Sequence, residues 1–170
     1  MSTLQRPALA LHAASLGLCP SAFAAETWAP TPAETELVRA LSARDGAPSC
    51  AELEAMVPAP VGSLQSIVEH VTMPPWVGMR AADCILAGHA AESRTLIESW
   101  VTRPELKGLG ILTLGRLDAM PADIATAIAT KAIEAGPDTA DARKRVARSS
   151  RPEIAALATT IPLPVAPVPR

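Results

Sequence analysis

Cys50, His70, Cys84 and His89 are of residue types that hold metal ions or carry nucleophilic chemistry. Their spacings of 20, 14 and 5 residues match no compact zinc motif, in which paired ligands recur about two to five residues apart. A nucleophile needs a base and an orienting group beside it. The sequence has no G-x-S-x-G, and "TLGRLD" is no nucleophile elbow. The acid pairs Glu52/Glu54 and Asp138/Asp141 fall where helices should begin, and there the helix dipole and capping account for them. The glycines of "KGLGILTLG" suggest a phosphate loop, but Thr113 stands where a dinucleotide fingerprint needs its third glycine. No strand precedes them and no Gly-Lys-Ser/Thr follows. From these residues we assign no catalytic group, no metal ligand and no cofactor.

The cysteines gain meaning from the start of the chain. "MSTLQR" offers Arg6 as a positive charge, "PALALHAASLGLC" is apolar, and Ala22-Phe23-Ala24 places small residues at −3 and −1. That is the pattern of a cleavable secretory signal, expected over residues 1–24 with the cut after Ala24. His12 and Pro20 interrupt the apolar run, which is too short for a transmembrane anchor. Bulky Leu18 before Cys19 argues against a lipid anchor. Cleavage would remove Cys19 and leave Cys50 and Cys84, an even pair that in an exported chain reads as one disulfide. The expected location is the periplasm or outside the cell.

Arg143, Lys144, Arg145, Arg148 and Arg151 form the one charge cluster, and on a helix Lys144, Arg148 and Arg151 share a face. That face suits an acidic partner, an anionic lipid surface or a nucleic acid. A solvated outer face is the plainer alternative. The chain as a whole carries 15 Lys and Arg against 17 Asp and Glu, a net charge of −2, which gives no basic bias toward nucleic acid.

The positioning elements should be helices. Hydrophobic residues make up 49% of the 170, yet aromatics only 2%, with Phe23 the sole Phe. A core of Ala, Leu, Ile and Val suits closely packed helices better than a β-sandwich. Pro32 opens "AETELVRALSAR" with acids first, Arg last and Gly46 as a stop. Ser49 and Glu52 form a capping box for a second short helix. From Ser63 the pattern is helix, proline turn, helix, three times over, with turn prolines Pro74, Pro104 and Pro137. Thr102 and Glu105 are expected to box the second turn. "VTMPPWVGM" from Val71 and "VTRPELKGL" from Val101 match at an offset of 30. In that alignment Gly78 pairs with Gly108, and the differences, Met73 against Arg103 and Val77 against Lys107, should lie on the surface. "IPLPVAPVPR" at 161–170 reads as an extended tail.

Self-similarity of this period marks an α-solenoid. "GMRAADCILAG" and "LGILTLGRLDAMP" resemble the second helix of HEAT-like repeats, in which an apolar residue plus Arg, an Ala pair and a Leu-Gly recur. The resemblance covers residues 63–150. It implies a short all-α solenoid of antiparallel hairpins over 63–160, preceded by an N-terminal segment, 25–62, with a helical hairpin; an irregular helical bundle is the alternative. Such arrays present a surface, which implies a noncatalytic protein-binding or scaffold module with a protein partner and no nucleic acid. The alternative is a helical enzyme or ligand-binding domain with a pocket between its helices.

Overall fold

The structure, a computed structural model, describes residues 28–162; the expected signal at 1–24 and tail residues 163–170 lie outside the described residues. Thr31 caps α1 (Pro32–Ser42): its hydroxyl accepts from the Glu34 amide, and the Glu34 carboxylate accepts in return from the Thr31 amide. Ser49 and Glu52 do the same for α2 (Cys50–Glu54). The hydrogen bonds from Ser49 hold the Glu52 carboxyl below its ordinary range. Helix α3 (Pro60–His70) begins three residues before the expected Ser63. Pro60 sits in its first turn, where a missing amide hydrogen costs nothing.

Helices α4 (Pro75–Gly88), α5 (Arg94–Thr102), α6 (Lys107–Gly115), α7 (Ala122–Ala135), α8 (Thr139–Val146) and α9 (Pro152–Thr160) follow. Short 3-10 turns, Pro104–Leu106 and Leu117–Ala119, precede α6 and α7. Among the described residues all regular structure is helical, so the chain is all-α.

The expected capping box of Thr102 and Glu105 does not form. Thr102 completes α5, its hydroxyl bonding back to the Glu98 and Ser99 carbonyls, while Glu105 pairs with Arg103. Arg103 thus takes the cap position, and a guanidinium has no acceptor to offer the turn.

Chain neighbours pack as pairs, α3 with α4, α5 with α6 and α7 with α8. Between pairs, α1, α4, α6 and α8 pack in sequence as one row, and α5, α7 and α9 as another. Helices α4, α6 and α8 begin at Pro75, Lys107 and Thr139, 32 residues apart each time. At the fourth position of each stands a small buried residue, Gly78, Gly110 and Ala142.

This register corrects the offset of 30 and its consequences. Val77 is fully buried, whereas Lys107, its partner in the turn alignment, is exposed. A Cβ on Gly110 would lie 2.8 Å from the Trp100 carbonyl oxygen, and one on Gly78 3.3 Å from that of Val71, while Gly108 faces open space. Gly110, not Gly108, is the close-approach counterpart of Gly78.

The core is built of small and aliphatic residues, with Ala81, Ala82, Ala125, Ala129 and Ala132 among Leu, Ile and Val, and Trp100 is its one fully buried aromatic among the described residues. Cys50 and Cys84 are joined as a disulfide that ties α2 to α4 across a separation of 34 residues. Closing such a loop contributes about 3 to 4 kcal/mol on the chain-entropy account.

Candidate binding surface

The structure does not gather the four Cys and His residues. Cys50 and Cys84 are consumed by their disulfide. His70 is exposed at the end of α3, where Trp28 stacks on it at 5.3 Å between ring centres. Trp28, which could have been a free docking residue at the start of the chain, is therefore half-buried and packed. His89 lies between two acids, with Nε2 3.1 Å from Glu54 Oε1, outside hydrogen-bond geometry, and Nδ1 3.4 Å from Glu92 Oε1. Among the described residues no three His, Cys, Asp or Glu side chains are placed to share a metal ion, and no helix is long and apolar enough to cross a membrane.

Arginines hold much of this chain together through backbone carbonyls. Arg80 on α4 donates to the Leu41 and Ala43 carbonyls at the end of α1. Arg143 on α8 does the same at the end of α9, donating to Ala158, Ile161 and Pro162 at 2.7, 2.8 and 3.0 Å. In each case a cation sits where the helix dipole is negative and the last carbonyls lack intrahelical partners. The two residues share a place six positions after a turn proline. Arg116 adds a two-pronged pair with Asp83 that links α6 to α4, at 2.6 and 2.9 Å.

The charge cluster therefore divides. Arg143 is spent on the end of α9. Arg151 donates to the Asp118 carbonyl at 2.8 Å, and Arg145 pairs with Asp141 one turn earlier on α8. The Asp118 carboxylate accepts from both hydroxyls of Ser149 and Ser150 and from the Ser150 amide. Those bonds, Ser149 first, lower its pKa to about 2. Arg145, and more weakly Lys107 and Lys144, lower that of Asp141. Lys144 and Arg148 are exposed, and with Lys107 on α6 they have no carboxylate within pairing distance among the described residues.

Lys107 and Arg148 border the seam between α6 and α8. Helix α8 packs mainly on α7 and α9 and touches α6 less. The seam is left open in two places that share Leu114 as a wall. Near the start of α6 a notch of about 40 Å³ is lined by Trp100, Ile111 and Leu114 together with Lys107, Asp138 and Asp141. Near its end a wider hollow of about 230 Å³ is lined by Leu117, Asp118, Arg145, Arg148 and Ser149. Ile111 is 38% exposed at the notch.

Other depressions lie elsewhere. A groove of about 270 Å³ separates α3 from α5, floored by Val68, Leu96, Trp100 and Leu109. A cavity of about 200 Å³ beside the disulfide is lined by Leu41, Leu53, Arg80 and Asp83. Arg80 is held there by the α1 carbonyls and Cys84 by its bond to Cys50.

Sequence reasoning finds Lys144 and Arg148 but misses Lys107 and Ile111. The available signal is "KGLGILTLG" itself, a helix apolar on nearly every side, which ordinarily must be covered on every side. No protein-family model, curated protein or solved structure matches this chain.

Proposed function

We propose that this chain is an exported, noncatalytic protein-binding module whose hairpins are HEAT-like repeats forming a short solenoid. The observation that carries the reading is the open seam of α6 and α8, where an apolar helix reaches solvent through Ile111 between unpaired cations. Apolar surface rimmed by polar groups is what a docking face offers. The 32-residue spacing of α4, α6 and α8, and the succession of their contacts, support the repeat reading. The Cys50–Cys84 disulfide supports an oxidising compartment, in line with the signal read at residues 1–24. Arg80, Arg143 and Arg151 are engaged in holding helix ends and loops.

Site-specific photocross-linking tests the module reading. A cross-linking residue at position 111 on α6, in the chain expressed in its native cell, should give one saturable protein adduct. The same group at position 79, the register counterpart on α4, should give none. Equal adducts from both positions, or none from either, would refute a docking face on α6.

A further inference from the structure

Resting on the module reading, we infer that the α6–α8 seam binds an acidic peptide that anchors one branched aliphatic side chain. The notch supplies the anchor site. Trp100, Ile111 and Leu114 line it beside Lys107, Asp138 and Asp141, and its volume of about 40 Å³ is room for about three water-sized centres, the scale of a Val or Leu side-chain end. Single apolar anchors in such pockets carry much of a peptide's binding energy.

The charge around the notch selects the rest of the peptide. Lys107 lines it, and Arg148 lines the neighbouring hollow, which shares Leu114. Lys144 is exposed on α8, and Arg148 is exposed in the turn that follows it. All three are exposed and have no paired carboxylate among the described residues, whereas Arg145 is paired with Asp141 and Arg143 and Arg151 are engaged by backbone carbonyls. Carboxylates on either side of an aliphatic anchor would meet these cations without displacing an existing pair. Exposed charges of this kind steer association and set orientation, and their effect fades with salt. Asp118, Asp138 and Asp141 are interspersed along the same seam. Their carboxylates oppose the evenly spaced charge of a nucleic-acid backbone, while a peptide can place its acids between them.

A fluorescein-labelled peptide, Glu-Glu-Asp-Leu-Glu-Glu-Asp, titrated with the full chain provides the test. Saturable binding is expected at low salt, weakening as salt is raised. Replacing Lys144 and Arg148 together by Glu should weaken it about tenfold or more, and so should Ile111→Ser or exchanging the peptide's Leu for Ala. Unchanged melting temperatures of these surface variants would show that the fold is intact. The inference is overturned if no saturable binding occurs, if the Ala peptide binds as well as the Leu peptide, or if a single-stranded oligonucleotide of equal charge binds at least as tightly. An adduct at position 111 without peptide binding would keep the module and reject the acidic partner; loss of both would reject both.

Discussion

After Val71-Thr72 the chain turns through Met73 and Pro74 and enters α4 at Pro75. After Val101-Thr102 it first takes the 3-10 turn Pro104–Leu106 and enters α6 only at Lys107. The two stretches share their residues at helix end, proline and glycine, yet the second arrives two residues late. Everything beyond the proline then changes environment. Val77 is sealed in the core while Lys107 stands in solvent, and Gly78 presses on α3 while Gly108 touches nothing. Turn chemistry repeats every 30 residues in sequence, but packing repeats every 32, and packing decides which side chains are buried.

The largest effect that can break this comparison is an exchange between the two turns. Val77→Lys would bury an unpaired ammonium at a fully enclosed site and should cost about 4 kcal/mol or more. Lys107→Val, at an exposed site, should change stability by no more than about 0.5 kcal/mol. Urea unfolding of the two variants measures both, and similar losses would restore the 30-residue alignment.

A smaller effect belongs to the junction after the second hairpin alone. Asp118 stands in the 3-10 turn beyond α6, and its bonds from Ser149 and Ser150 depress its pKa to about 2. A carboxyl depressed in the folded state contributes stability above its unfolded pKa, and that contribution disappears as pH falls through the folded value. Melting temperature should therefore drop between about pH 4 and pH 2. Asp118→Asn should flatten the drop over that window, and an unaltered pH profile would mean that the bonds from Ser149 and Ser150 contribute nothing to folding.

Much of the scaffold is legible in the residues. Thr31 with Glu34 and Ser49 with Glu52 announce helix starts because a capping box is a local arrangement. Cys50 and Cys84 announce their bond because, with Cys19 assigned to the expected signal, they are the two cysteines that remain. The two-residue delay before α6 is not legible, since Pro104 is equally suited to open an α-helix or a 3-10 turn. The roles of Arg80 and Arg143 are hidden for another reason. Their acceptors are backbone carbonyls 15 to 39 residues away, and a carbonyl leaves no trace in residue identity. For the same reason the basic cluster can be seen in sequence, while its division into engaged and free cations cannot. The exposure of Ile111 depends on how closely α8 approaches α6, a tertiary quantity that periodicity does not encode.

The two glycines of α6 give the most direct test of the 32-residue register on which the account stands. Gly110→Ala would drive a Cβ to 2.8 Å from a main-chain oxygen of Trp100, which cannot swing aside, and should cost about 2 kcal/mol. Gly108→Ala has open space and gains helix propensity, and should raise stability by up to about 1 kcal/mol. Denaturant unfolding of the two single variants reads the difference directly. A loss at 110 with a gain at 108 is the predicted result; a loss at 108 as large as that at 110 would contradict the register.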